Sequence, residues 1–468
     1  MITPAFNIDV KARKELSSVQ ILQQYVQNFQ EKKEKDDFSD VEKRIHKMVM
    51  DVEKEVLETC LSKYDIDAPA VSIDGELYTK VVRCEQDYQS AAGVLRVERS
   101  LYRKDREEIS ICPLELTSGV IEGYWTPAAA RQAIWAVSHM TPQESEELFK
   151  EIANMEPSKS SLDRLPKKLG ELWETTFVEN QAIVRLDENI PQEAVTVAVC
   201  LDGVMIPMSK VAGTESTGKA QYKEASCGTI SLYDKEGERL STVQIGRMPE
   251  HKKTTLKEQL KAEIENLMQN KPSLQLVKLA DGAKDNWAFL ESEFSNGTSL
   301  LDFWHMSEHV KDAFDAAYPN EPSKSKGQFE KYKTILKEDE MGVEKLIRCL
   351  LNLHNKSPKN SIIKNTLSYI RNNKKRMYYA AALKMNLPIG SGVVEACCKT
   401  LITQRMKRSG MRWQEKGGQS IISFRSLIKS NRFDKAWEII SLKYKGIVEM
   451  PENVMILPLR NKEQGVSV

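Results

Sequence analysis

Apolar and polar positions along residues 190–320 change period in a regular order. "AVTVAVCLDG" is almost continuously apolar and predicts a buried strand ending near Asp202 at a sheet edge beside Gly203. "EASCGTISLYD" and "ERLSTVQIG" alternate, predicting two strands joined by the hairpin "DKEG", and "HKKTTLKEQLKAEIENLMQN" carries the 3.6-residue period of an amphipathic helix. "LQLVKLADGAKDNW" delivers another apolar strand into a Gly turn at Asp281. That is a βββαβ order, and a helix starting near Trp287, a fifth strand "TSLLDFW" and a helix from His305 follow it as three further elements.

Patterns outside this stretch are mostly helical. From Pro322 to about Met385, "FEKYKTILKEDEMGVEKLIRCLLNLHN" and "SIIKNTLSYIRNNKKRMYYAAALKM" lack strand signals and predict an all-α insertion. In it Arg371, Lys374, Lys375 and Arg376 are candidate phosphate contacts, although most of its charges read as ordinary surface. In "PIGSGVVEACCKTLITQRMKRSG", Gly390 and Gly392 free the backbone before a helix carrying Glu395. Upstream, residues 126–174 read as three short helices with turns near Thr141 and Pro157, a helix-turn-helix pattern. Lys159, Ser160, Arg164, Lys167 and Lys168 would lie on or near its reading helix, with Pro166 awkward for a helix interior. Packing around Ile134, Trp135, Leu148 and Phe149 equally fits a plain helical domain. Nearer the N-terminus, "DVEKRIHKMVMDVEKEVLETCLSKY" has an apolar stripe at Val41, Ile45, Met48, Val49, Val52 and Val56, read as core packing with dimerisation as the alternative. "GVLRVERSLYRKD" and "EEISICPLE" predict two strands. The resulting division is an accessory region 1–120, a helical helix-turn-helix-like domain 121–190, a core in two parts at 191–320 and 388–450 around the insertion 321–387, and a tail 451–468.

Composition narrows the class without naming a reaction. A chain of 468 residues, 41% hydrophobic and 29% charged, has the make-up of a soluble multidomain protein, and no run of 18 apolar residues exists to span a bilayer. No membrane association and no secretory leader are expected, and eight Cys without framework spacing point to reduced thiols in a cytoplasm. Cys397 and Cys398 read as small apolar residues on the buried side of the Glu395 helix. Net charge is only +1, but residues 396–445 hold 12 Lys or Arg against 3 acidic residues, a stripe on which a polyanion can lie. Arg405, Lys407, Arg408 and Arg412 are its densest part, and Trp413 beside them is a candidate stacking residue, with a solvated helix end as the plain alternative.

Candidate chemistry lies in three carboxylates. A lone Asp before Gly is most often a turn or cap. Asp202 and Asp281, however, both follow apolar strands in an order that lets the strand ends lie side by side, and Glu395 opens a helix near a basic stretch. Two strand-end aspartates and a helix glutamate suit two Mg²⁺ or Mn²⁺ ions, hard cations that take oxygen ligands and clamp both oxygens of an in-line phosphoryl displacement. Asp302 followed by His305 reads as a cap plus a solvated ring, or as a functional pair. His305 and His309 fall one helical turn apart, yet Glu308 is offset from H-E-x-x-H spacing, so zinc is not expected there. Isolated Cys84 and Cys112 do not make four structural zinc ligands.

These motifs, "LDGVMIPM", "LADGAKDNW", "LDFWHMSEH" and "PIGSGVVEACCKTLITQRMKRSGMRW", make residues 120–445 resemble bacterial insertion-sequence transposases of the DDE type, most closely the ISKra-type group of the mutator-like superfamily. The resemblance implies an α+β multidomain chain whose ribonuclease H-like catalytic core is interrupted by the all-α insertion, with Asp202, Asp281 and Glu395 as metal ligands. It also implies that Asp302 and His305 help position the phosphodiester. It departs from the family in lacking paired Cys near the N-terminus. The expected activity is cleavage at transposon ends and strand transfer, with DNA (terminal inverted repeats and target) as partner and at least a dimer assembled on it. The expected location is the bacterial cytoplasm, on the nucleoid when bound to DNA. A host-adapted DNA-binding protein and a structure-selective nuclease on the same fold are the alternatives.

Overall fold

A computed structural model describes residues 17–31, 37–105, 108–152, 155–186, 188–209 and 221–451; of the tail at 451–468 all but the first residue lie outside the described residues. The chain is α+β. Its described strands are β1 (Ala70–Ile73), β2 (Glu76–Ser90), β3 (Gly93–Arg103), β4 (Thr196–Met208), β5 (Gln221–Tyr233), β6 (Arg239–Arg247), β7 (Gln275–Ala280), β8 (Thr298–Leu301) and β9 (Val448–Glu449). They form an antiparallel four-stranded sheet, β3-β2-β1-β9, and a mixed five-stranded sheet, β6-β5-β4-β7-β8. Two compact units divide the chain, 1–166 with 437–468, and 167–436. The division falls inside the Lys159–Thr175 helix. In the second unit Glu174 accepts from Arg247 Nη1 (2.8 Å) and Ser423 Oγ (2.7 Å), and in the first β9 pairs with β1, drawing the C-terminal segment into the N-terminal sheet.

In the first unit the strands differ from expectation. "GVLRVERSLYRKD" is β3, but the described residues of "EEISICPLE" make only a single bridge, Ile111 to Tyr102, before Pro113 starts the Pro113–Ser118 helix. Proline has no N–H for a ladder and is preset for a first helical turn, which explains the switch. The Phe38–Ser62 helix is capped by Asp37, whose side chain accepts from Ser39 N, and buries Val41 and Leu61. Much of its apolar stripe is not covered: Ile45, Val49 and Val56 are exposed. Pro127–His139, Pro142–Ile152 and Lys159–Thr175 are the three expected helices. Pro166 lies inside the third without ending it.

The second unit is built around β4. It is the central strand, antiparallel to β5 and parallel to β7. Its side chains alternate between two cores: Val197, Val199 and Leu201 face one with the Thr254–Asn270 helix residues Leu256 and Leu260, while Ala198 and Cys200 face the other with Val394, Leu401 and Ile422. Glycine lets both layers approach. A Cβ at Gly228 would stand 2.8 Å from Leu260, and one at Gly246 would stand 2.6 Å from Ile422. The segment from Pro322 to Lys384 is helical throughout its regular elements: Pro322–Glu338, Gly342–Lys356, Ser361–Asn373, a short 3₁₀ turn and Tyr379–Lys384. No helix among the described residues is long and apolar enough to cross a membrane.

Candidate metal-binding cleft

Register brings three aspartates into one row. The parallel ladder of β4 with β7 runs to Cys200 opposite Leu279, and that of β7 with β8 runs to Ala280 opposite Leu301. Two residues past Cys200 and Leu279 come Asp202 and Asp281, and one past Ala280 and Leu301 come Asp281 and Asp302. The carboxyl ends of parallel strands are where open α/β sheets hold ligands. One expectation fails here: Asp202 is not at the end of its strand or at a sheet edge, because β4 continues through it to Met208 while pairing with β5. β7 and β8 do stop, at Ala280 and Leu301, and their stopping opens the row beside β4.

Asp302 brings in the fourth acid. It caps the Phe303–Ala317 helix, accepting from Trp304 N (3.0 Å) and His305 N (3.3 Å), and also accepts from Ser391 N (3.2 Å) and Ser391 Oγ (2.7 Å). Phe303 N donates to Ile389 O at 3.0 Å. This clasp fixes "PIGSG" and the Gly392–Cys397 helix that follows it; the Ser391 hydroxyl also lies 3.2 Å from Glu395 Oε1. Asp302 is buried with four donors on its carboxylate, so it holds the Glu395 segment. It is placed to position its neighbours and not to face solvent as a ligand.

Asp202, Asp281, Asp302 and Glu395, with Leu201, Trp304, His305, Glu308, Ser391 and Val394, line one cleft of about 270 Å³. Asp202 accepts from its neighbour Gly203 N (2.7 Å), and the Cys398 thiol lies 3.7 Å from its other oxygen. Burial, followed by the Asp281 charge, raises its pKa above the usual carboxylate value. Asp281 accepts from Ala283 N (3.1 Å) and Asn286 Nδ2 (3.3 Å), while its carbonyl takes Trp287 Nε1 (2.6 Å). Among the described residues none of Asp202, Asp281 and Glu395 has a salt-bridge partner, although no group of three or more His, Cys, Asp or Glu is already drawn together as a metal cage. The donor set fits a hard divalent ion: all oxygen, acidic, partly desolvated and lacking an ionic partner. His305 is half-buried at the rim, Nδ1 3.9 Å from Glu308 Oε2 and its ring 5.0 Å from His309, which is tilted on Tyr369 at 4.4 Å.

Behind Asp202 the Glu395 helix widens into a π turn, Cys398–Thr403. Such bulges leave carbonyls without their usual partners. Arg425, buried, fills that need by donating to Leu401 O (2.7 Å) and to Thr400 O. Nothing in the apolar pattern of "CCKTLIT" marks this bulge. Cys397 and Cys398 are buried, on the side of the helix expected for them.

The candidate DNA contacts divide. Lys159, Arg164, Lys167 and Lys168 are exposed on the Lys159–Thr175 helix, alongside Asp163. Arg371 and Lys375 are exposed too, but Lys374 pairs with Glu344 (2.9 Å) and Arg376 pairs with Glu291 (2.6 Å) and lies 4.2 Å from the Trp287 ring. Lys407, Arg408 and Arg412 are exposed. Arg405 is not: it is buried, 5.2 Å from the Trp413 ring. Trp413 is likewise committed, with Nε1 on Met406 O (2.9 Å) and its backbone bonded to Pro207 and Ser209, extending the end of β4. Trp413 is partly buried against the apolar cluster that contains Met208 and Met406. Ser391 and Trp304 line the cleft without having been singled out as candidates, and Tyr369 packs just behind it, its ring beside Gly282 and His309. Ser391 was visible as the polar residue four before Glu395; Tyr369, distant in sequence, carried no signal.

No family model and no curated protein matches this chain.

Proposed function

We propose that this chain is a DDE-type transposase with a ribonuclease H-like core, cutting DNA at element ends and joining the freed 3′-hydroxyl to a second strand. The observation that carries the reading is the shared cleft of Asp202, Asp281 and Glu395, acids 79 and 114 positions apart in succession, at the carboxyl end of a parallel strand pair. The sheet order β6-β5-β4-β7-β8, with its first three strands antiparallel, supports the core assignment. Asp202, Asp281 and Glu395 would hold two Mg²⁺ or Mn²⁺ ions. Bound there, the ions lower the pKa of an attacking water or 3′-hydroxyl and steady the leaving oxygen. The protein's own contribution is alignment: Ser391 and Asp302 hold the Glu395 helix, and Gly203 N and Asn286 orient the two aspartates. Exposed Lys159, Arg164, Lys167, Lys168, Arg371, Lys375, Lys407, Arg408 and Arg412 supply phosphate contacts, and the complex on DNA is at least a dimer in a bacterial cytoplasm.

The test is cleavage and joining of DNA carrying the element's terminal repeats in Mg²⁺. Asp202→Asn, Asp281→Asn and Glu395→Gln each lose activity on the order of a thousandfold or more, since each removes several kcal/mol of transition-state stabilisation. Parental rates in any of the three overturn the proposal. Cutting of branched DNA without joined products assigns the cleft to a structure-selective nuclease instead, and DNA binding without cleavage in the parent assigns it to a host-adapted binding protein.

A further inference from the structure

Trp304 stands out at the rim of the carboxylate cleft. It is 49% exposed, one of the large hydrophobic side chains left open to solvent, yet its backbone is fixed by the Asp302 cap. Its ring is held as well. The indole rests edge-on against buried Phe303 (centroids 5.5 Å apart), and Phe303 in turn packs against buried Tyr379 (5.0 Å). Gly390 lies so close that a Cβ there would come within 2.7 Å of Trp304 Cδ1, so the absence of a side chain at 390 is what gives the ring its seat. Two lysines one helical turn apart on the Pro322–Glu338 helix, Lys333 and Lys337, place their ammonium groups 5.4 and 5.2 Å from the ring centroid. A solvated tryptophan costs hydrophobic free energy that a merely structural residue at that position would avoid.

We propose that Trp304, Lys333 and Lys337 form a stacking platform for a nucleobase of single-stranded DNA next to the phosphodiester in the cleft. The base stacks on the exposed indole, and the two ammonium groups take the adjoining phosphates. A rigid aromatic face with flanking cations is the combination that grips single strands without reading sequence, because every base offers a π face. The proposal rests on the nucleic-acid reading of the cleft and deepens it. It makes the insertion helices a source of substrate contacts beside the acids through Lys333 and Lys337, in addition to the candidate phosphate contacts Arg371, Lys374, Lys375 and Arg376.

The experiment measures binding of fluorescein-labelled oligo-dT, and of the same oligonucleotide with an abasic site in place of each thymidine in turn, to the full chain in Ca²⁺. Trp304→Ala lowers affinity for oligo-dT about tenfold or more, and Trp304→Phe keeps it within about threefold, the range of a single base–aromatic stack. One abasic position removes the difference between parent and Trp304→Ala, which a change in folding would not do. Should Trp304→Ala fail to fold, the Lys333→Gln/Lys337→Gln chain reports instead: its affinity depends less steeply on salt, the log–log slope falling by about 1.4 for two lost phosphate contacts on a single strand. Equal binding of oligo-dT by parent and Trp304→Ala, a loss that persists on every abasic probe, or an unchanged salt slope overturns the platform. Cleavage by Asp202→Asn overturns the transposase reading separately, since the binding measurement scores the platform whether or not any strand is cut.

Discussion

On the proposed function, Asp202 sets stability against chemistry. Burial and the neighbouring Asp281 charge raise its pKa in the folded chain, so the folded state favours the protonated form more than the unfolded state does. Below the unfolded carboxylate pKa, about 3.9, both states are protonated and the group contributes no difference. As pH rises through the raised folded pKa, the folded chain must hold a charge it disfavours, and stability falls. Asp202→Asn therefore raises the thermal midpoint at neutral pH, although the proposed function has it abolish cleavage, and the gain shrinks to nothing as pH falls through the carboxylate range. Thermal melts of both proteins at several pH values check this. Mg²⁺ should stabilise the parent and not the variant, a readout independent of turnover. Gains of equal size at acid and neutral pH would mean that the effect comes from packing and not from charge.

At the scale of elements, one buried guanidinium joins segments that are distant in sequence. Arg432 donates to Glu263 through Nη1 (2.8 Å) and Nη2 (2.7 Å) and to Glu188 through Nη2 (2.6 Å) and Nε, while Arg185 approaches Glu263 at 3.3 Å. The two glutamates hold its pKa above the ordinary arginine value against the opposing effect of burial. The Thr254–Asn270 helix and the turn after Lys429 are tied by charge as much as by apolar contact. Removing one partner of a buried pair leaves the other uncompensated, so Arg432→Met costs about 3–5 kcal/mol, read as a lower urea midpoint at unchanged slope. A shift below about 1 kcal/mol would show the network to be no stronger than a surface pair.

The whole molecule separates into units with different dependence on chain ends. In the unit made of 1–166 and 437–468, β9 pairs with β1, Tyr444 Oη donates to Glu122 Oε1 (2.6 Å), and Gly446 N donates to Leu116 O (3.0 Å). A chain ending at Lys443 loses all three. Its β1 amides should exchange faster with deuterium, while those of β4 and β7 keep their protection and Mg²⁺ still stabilises the 167–436 unit. Protection lost equally in both sheets would mean that the two units unfold as one.

Periodicity alone determined the order of strands and helices from β4 to the Phe303–Ala317 helix, because buried strands and amphipathic helices leave their period in the residues themselves. The acids could be picked out in the same way, as polar residues placed where apolar runs give way. It did not tell that β4 runs on past Asp202, since continuing a strand needs a partner and that partner is β5, decided in three dimensions. The short strand expected around Ile111 failed for the same reason, with Pro113 starting a helix before a ladder could form. Only tertiary structure decided that Arg405 and Trp413 turn inward, that Asp302 holds the Glu395 helix, and that Arg425 fills the π turn. Burial and hydrogen-bond partners arise between segments far apart in the chain, and no local pattern of residue types encodes which of two polar neighbours will find one.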